Sequence, residues 1–397
     1  MKIISIKLGN KGLSFTLFNM EDEQIITSGV FERIGMANSY YTITYKGEKI
    51  TEEVALSDCV DVAKTLLDKL ISLEFISHVE DIKGIGYFVF YGKDQFYKSS
   101  LLKEEDIQKL DTFRDFAPNF MQDNISGIKA FQEVFNGIPI VGVFDTAFYG
   151  SLAEDVYLYP VPRSWYVEYG VRKYGYYGIA HNYVASCIGA LLNRESVKLI
   201  SCYLGNEHVS ISAISNGKCI DTSMGFSLPS GAIMGTSCGD IDPTIIPYIM
   251  EKEGKNASEI LDDLNYNSGL LGLSEITNDT TTMISLCEEG SKQAILAKNK
   301  YVRRIVDYIA QYYVLLGGID VISFTGDVGE KQIPIRREIC EKLYSLGIKI
   351  NLDINSTCRG ITKISSNDSS AMVYVIPGND ELMIARETLK VLSDRKM

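Results

Sequence analysis

The sequence predicts an α/β protein made of two related domains, and three observations carry that expectation. "SIKLGNKGLS" (residues 5–14) returns as "SCYLGNEHVS" (residues 201–210), agreeing at both serines and at Leu-Gly-Asn, with Ile4 opposite Ile200. β-rich runs alternate with apolar patterns of helical period on both sides of that second copy. The chain's 397 residues exceed a typical single core, so two or three domains are expected. A strand–turn–strand unit that recurs with following α/β elements points to duplicated domains facing each other across a cleft.

Taken in order, "IISIKL", "SFTLFNM" and "QIITSGVF" read as strands punctuated by Gly and Asn. "EEVALSDCVDVAKTLLDKLIS" places apolar residues at helical spacing, and "IKGIGYFVFYG" returns to strand. A helix around "MQDNISGIKAFQEVF" leads into the strand "IPIVGVFD". The second copy opens a similar series: strands "VKLISCYLGN", "VSISAIS" and "KCIDTSM", then helices. A long helix near "SKQAILAKNKYVRRIVDYIAQYYVLL" precedes the strand "DVISFTG". The last elements are "AMVYVIPG" and a helix from about Asn379 to the end.

Composition narrows the function classes. A net charge of −12 argues against nucleic acid or an anionic membrane as the main partner. The eight cysteines form no CxxC pair, so reduced, packed thiols are expected in preference to disulfides or a zinc site. Only His78, His181 and His208 are present, which disfavours a histidine-rich metal centre. Lys7 and Lys11 interrupt the apolar stretch near the start, and the most apolar later stretch carries Gln311 and Asp320. Neither reads as a signal peptide or a membrane span, and a cytoplasmic protein is the expectation.

The repeated Gly-Asn turns have two readings. Such turns serve tight hairpins. They also expose backbone N–H groups of the kind that hold phosphate, and two matched copies favour that use.

Four longer stretches carry a family likeness. "VFDTAFYGSLAEDVYLYPVPRSWYVEYGVRKYGYYGIAHNYVA" (143–185) resembles the strongest signature of the acetate kinases. "DTSMGFSLPSGAIMGTSCGDIDP" (221–243), "FTGDVGEK" (324–331) and "VIPGNDELMIARET" (375–388) resemble three more, in the family's order. The likeness implies the acetate-kinase/actin-like (ribonuclease H-like) fold of the ASKHA superfamily, with two duplicated domains around a nucleotide cleft. It implies a first domain over 1–148, rejoined by the helix at about 379–397, and a second over 149–378 that provides a homodimer interface. The implied reaction is transfer of the ATP γ-phosphoryl group to acetate or another short carboxylate, with Mg and ATP/ADP as cofactors.

The same likeness shows where this chain departs. The family's catalytic arginine in a "GHRVVHGG"-like motif is Phe88 in "GYFVFYGK", with Tyr87 at a histidine. The arginine of "MGTRxGxIDP" is Ser237, the histidine after "APL" is Phe120, and the first histidine of "YGFHGTSH" is Tyr177. His181 matches the second of those histidines, and Asp145 is retained as the surviving catalytic candidate; the alternative is an aspartate satisfying backbone groups. On the nucleotide side, Lys7 stands for an asparagine and Ser14 for a lysine, and Asn10 lies in the first loop. Gly205 and Asn206 are kept in the second loop, beside Glu207. Gly326, Gly329 and Glu330 match the adenosine-side loop, and Asp279 matches a "DFR"-like adenine motif whose arginine is Thr281. The metal-associated glutamate of "PTNEEL" is Asp380.

Phosphoryl transfer needs cations around the equatorial oxygens. Losing one such donor costs about 3–4 kcal/mol of barrier. Two arginines and a histidine together cost on the order of 8–12 kcal/mol if additive, which is an upper range. Three readings stay open. One is a degenerate homologue that binds a nucleotide or an unidentified protein partner. Another is a working kinase with an altered substrate, using Lys7 and Lys11 as substitute cations. The last is a non-catalytic subunit of a larger assembly. Lys11 and Glu207 also carry opposite charges in the two matched turns, and two readings stay open: a pair across the cleft, or lysines solvated in a hairpin turn. Tyr174, Tyr176 and Tyr177 read as wall residues, and His208 as an exposed turn histidine or a base.

Overall fold

The computed structural model describes residues 1–9, 12–114 and 118–394. They divide into two compact units, Met1–Gly150 with Asn379–Met397, and Ser151–Gly378.

The first unit is built on strands β1 (Lys2–Gly9), β2 (Gly12–Asn19), β3 (Gln24–Glu32), β4 (Tyr40–Tyr45), β5 (Glu48–Glu53), β6 (Ile82–Val89), β7 (Ser100–Leu101) and β8 (Ile140–Phe144). They form one mixed sheet of order β5-β4-β3-β2-β1-β6-β8-β7. β1 to β5 make an antiparallel meander, whereas β6 runs parallel to β1 and β8 parallel to β6.

Side chains alternate across a strand, so Ser5 and Lys7 share one face of β1, and Gly84, Gly86 and Phe88 share one face of β6. The register Ile3↔Gly84 and Ser5↔Gly86 brings these sets to the same side of the sheet. The C-terminal helix Asp380–Asp394 covers that side. A Cβ on Gly84 would lie 2.5 Å from Leu392 Cδ1, and one on Gly86 2.2 Å from Thr388 Oγ1 and 3.1 Å from the Ile384 carbonyl, so the helix approaches closely over both and Gly86 needs glycine. Ser5 Oγ donates to the Glu381 carbonyl at 2.6 Å and pins the start of the helix.

On the opposite face Tyr87 is fully buried, its ring edge-on to Phe131 at 6.0 Å. It meets the helix Pro118–Val134 at Gly127, where an added Cβ would lie 1.9 Å from the Tyr87 hydroxyl.

One element differs from expectation. The helix read over 52–72 starts only at Cys59, where Asp58 accepts from Val60 N and Asp61 N as N-cap. Residues 48–53 form the edge strand β5, which is exposed along most of its length and so shows no alternation to read.

The second unit holds β9 (Lys198–Leu204), β10 (Val209–Ser215), β11 (Lys218–Thr222), β12 (Val321–Thr325), β13 (Thr362–Lys363) and β14 (Met372–Val375), in the order β11-β10-β9-β12-β14-β13. β9 is antiparallel to β10 and parallel to β12, as β1 is to β2 and β6. The two hairpins have the same register. Leu8 pairs with Leu13 and Leu204 with Val209, each residue displaced by 196 positions (204 − 8 and 209 − 13). The helix Lys292–Leu315 buries Tyr301, Val302, Ile305, Ile309 and Tyr312, a stripe of three- and four-residue steps.

Two substitutions test the packing of Tyr87. Gly127→Ala is expected to lower stability by about 1–3 kcal/mol, because a rigid buried ring must move. The Tyr87 hydroxyl has no hydrogen-bond partner among the described residues. Tyr87→Phe should therefore leave stability unchanged or raise it by up to about 1 kcal/mol in urea unfolding.

Candidate functional site

Parallel strands deliver their carboxyl ends to one edge of a sheet, and there the first unit gathers its charged groups. The Lys7 ammonium lies 2.6 Å from Asp380 Oδ2 and 5.2 Å from the centre of the Phe88 ring. The face-sharing of Ser5 with Lys7 and of Gly86 with Phe88 places these side chains under the start of the C-terminal helix. Asp145 follows β8 directly, as the first residue of the 3-10 turn Asp145–Ser151, and is buried.

In the second unit the hairpin turn carries Gly205, Asn206, Glu207 and His208, and Gly205 N donates to the His208 carbonyl at 2.9 Å. His208 is half-buried, correcting the expectation of an exposed turn histidine. The reason is Tyr177, whose hydroxyl lies 2.8 Å from His208 Nδ1 and whose ring stacks on Tyr203 at 4.3 Å. Burial pushes the His208 pKa below the usual histidine value, with the Glu207 carboxylate acting in the opposite direction. His181, fully buried, sits between the hydroxyls of Ser201 and Ser210 at 2.8 and 2.9 Å. Tyr174 and Tyr176 donate to the carbonyls of Gly170 and Phe226 and are buried.

Asn206 and Asp279 meet at one helix start. Asp279 caps the helix Thr280–Glu288 by accepting from Thr282 N, and Asn206 Oδ1 accepts from Thr280 Oγ1 at 3.0 Å. Gln332 Nε2 donates to Thr281 Oγ1 at 2.6 Å. Gly326 follows β12 with φ +79°, and a Cβ there would lie 2.7 Å from the Leu204 carbonyl, so this close approach of β12 to β9 needs glycine. Glu330 Oε1 accepts from Gly378 N at 2.9 Å. Burial pushes its carboxyl pKa up, while the Gly378 and Gly326 N–H groups hold it down.

The backbone beneath Gly329 and Glu330 is held by Arg336, which sequence reading missed. Its buried guanidinium donates to the carbonyls of Gly329 and Glu330 at 2.9 and 2.8 Å, and to both oxygens of Asn355 at 2.8 and 3.0 Å. The readable sign is its place in the apolar stripe Ile335, Ile339 and Cys340 of the helix Ile333–Lys342, where a charge is out of pattern. Ser237 is buried, and its hydroxyl donates to the Asn265 carbonyl at 3.1 Å.

Asn10 and Lys11 lie outside the described residues, and with them the question of a Lys11–Glu207 pair; so does the side chain of Phe120. Among the described residues no group of three His, Cys, Asp or Glu is disposed to hold a metal. Mg²⁺ needs only one or two carboxylates beside substrate phosphates. The question of fit therefore falls on Asp380, and there an ammonium already occupies the carboxylate.

A hairpin joined to parallel strands, built twice in one register with a glycine-bearing turn each time, defines the class: an ASKHA-type α/β protein. The acetate kinase of Porphyromonas gingivalis superimposes with a TM-score of 0.93 at 32% identity, covering 98% of this chain and 99% of that one. A propionate kinase from Francisella tularensis gives 0.91 at 34% identity, with 98% and 99% covered. The chain is 42% identical over 390 residues to an acetate kinase of Halalkalibacterium halodurans, covering 98% of this chain and all of the relative. It is 41% identical over 392 residues to the acetate kinase of Bacillus subtilis, covering 98% and 99%. The Acetokinase family model matches residues 2–386, and the chain belongs to that family.

Two outcomes test these contacts. His208 resists protonation in the folded state, so the unfolded chain binds its proton first as pH falls. Stability should drop as pH goes below the ordinary histidine value of about 6.5. His208→Gln should show a shallower drop in urea titrations across that range. Arg336→Met strands the Gly329, Glu330 and Asn355 acceptors and is expected to cost about 2–4 kcal/mol in the same measurement.

Proposed function

We propose that this chain is a nucleotide-binding member of the acetokinase family in which phosphoryl transfer to a carboxylate is lost. The observation that carries the reading is chemical. At the positions where the family resemblance expects arginines stand Phe88, against the Lys7 ammonium, and Ser237, bonded to a carbonyl. Neither side chain carries a positive charge at any pH, so neither can stabilise the charge developing on a transferring phosphoryl group. Tyr177, at a family histidine, is committed to His208 and Tyr203.

Nucleotide binding is supported by what is kept. Gly205, Asn206, Asp279, Gly326, Gly329 and Glu330 form the turns and helix starts described above, and backbone N–H groups bind phosphate without charged side chains. By the family resemblance the ligand is ATP or ADP, and the chain is a cytoplasmic homodimer that takes up no nucleic acid. None of the helices described is long and apolar enough to cross a membrane. A non-catalytic protein of this kind would exert its effect through a protein partner, detectable by co-purification.

A second reading, a working kinase for acetate or another short carboxylate, draws on Asp145, retained and buried at the end of β8. In that reading Lys7 and Lys11 replace the missing cations, but the Lys7 charge is already balanced by Asp380.

The decisive assay is ATP formation from acetyl phosphate and MgADP, with Asp145→Ala purified in parallel so that contaminating host kinase appears in both. Equal, background-level rates are expected. Activity confined to the unaltered chain would sink the proposal and establish the second reading.

A further inference from the structure

Three positions at which the family resemblance expects other residues, namely 7, 88 and 380, are 373 residues apart at the extremes (380 − 7) and yet touch. The Lys7 ammonium binds Asp380 at 2.6 Å and lies 5.2 Å from the centre of the Phe88 ring. Strand alternation and the parallel register of β1 and β6 put Lys7 and Phe88 on the face covered by the C-terminal helix. The Ser5 bond to the Glu381 carbonyl fixes the helix start that carries Asp380. Both charged side chains are partly shielded, at 36% and 22% exposure, so the contact is more than a loose surface pair. An aromatic ring face beside an ammonium stabilises it, whereas an arginine at position 88 would repel it.

We infer that the Lys7 ammonium is a built-in cation that fills the place beside Asp380 that the family resemblance assigns to a divalent metal, and that it keeps the metal out. A second cation would have to displace an ammonium 2.6 Å from the carboxylate and then share that oxygen against like-charge repulsion. Magnesium also demands octahedral oxygen ligands at about 2.0–2.1 Å, and the ammonium occupies the space they need. Resting on the nucleotide reading above, the consequence is that a nucleoside diphosphate held by this chain binds free of magnesium. The class of ligand is thus the metal-free nucleotide.

The test is calorimetric titration with ADP in excess magnesium and in EDTA, on the unaltered chain, Lys7→Asn and Lys7→Met, the last keeping the side-chain stem. For the unaltered chain excess magnesium should leave the apparent affinity unchanged or weaken it, because it sequesters the metal-free ADP, whereas in Lys7→Asn magnesium should strengthen binding by about tenfold or more. A gain of about tenfold from magnesium in the unaltered chain, lost in Asp380→Asn, overturns the inference and leaves the nucleotide reading intact. If no ADP binds in either buffer, the nucleotide reading fails, and Mn²⁺ binding followed by electron paramagnetic resonance decides the inference alone. A Mn²⁺ site that appears in Lys7→Asn or Lys7→Met and disappears when Asp380→Asn is added supports it. A site already present in the unaltered chain and removed by Asp380→Asn, or none gained in either Lys7 variant, overturns it.

Discussion

The constraint on which the rest of this structure depends is the parallel pairing of strands beside each antiparallel hairpin. β6 runs with β1 and β8 with β6, so residues 7, 88 and 145 all fall at strand ends on one edge of the first sheet. In the second unit β12 runs with β9 and β14 with β12, so the turn after Leu204, the glycine after Thr325 and the loop after Val375 share an edge in the same way. Loops at carboxyl ends of parallel strands are free to change without breaking the sheet, because no ladder bond depends on their side chains. On the family resemblance, that is how phenylalanine, serine and tyrosine could stand at arginine and histidine positions with the fold intact.

The exchanges are coupled by contact. A lone lysine at position 7, next to an arginine at 88, would set two cations against each other; with Phe88 the ammonium meets a ring face and a carboxylate instead. In the second unit a tyrosine at 177 reaches a histidine that the turn itself supplies, and stacks on a second tyrosine at 203. In each cluster a polar group gains a partner from within the chain: Lys7 from Asp380, and Tyr177 from His208.

Much of the framework was legible in the sequence, for reasons visible in particular residues. The repeat could be found because the two hairpins keep the same register, so that equivalent residues stay in step over 196 positions (201 − 5). The helix Lys292–Leu315 showed its buried stripe directly. β5 escaped because an edge strand exposed on both faces has no periodic pattern, and the helix after it was read too long as a result. The site was legible only as a set of departures from a family pattern. Where those departures lead is set by contacts with no local signal: Lys7 with Asp380, Tyr177 with His208, and Arg336 with two carbonyls six and seven residues earlier in the chain.

On the function proposed above, this contrast also explains how a chain can be 41% identical to an acetate kinase over nearly its whole length and yet lack its chemistry. Glycines 86 and 326 are held in place, because a Cβ at either would press on the Ile384 or the Leu204 carbonyl. The buried stripe of the long helix and the serine ladder around His181 are restricted for the same reason: they hold packing that every part of the fold feels. The residues that stabilise a transition state are few, sit at loop ends, and support nothing but the reaction. Once the reaction ceases to be selected they are the cheapest positions to replace, and similarity over the rest of the chain persists because it reports the fold.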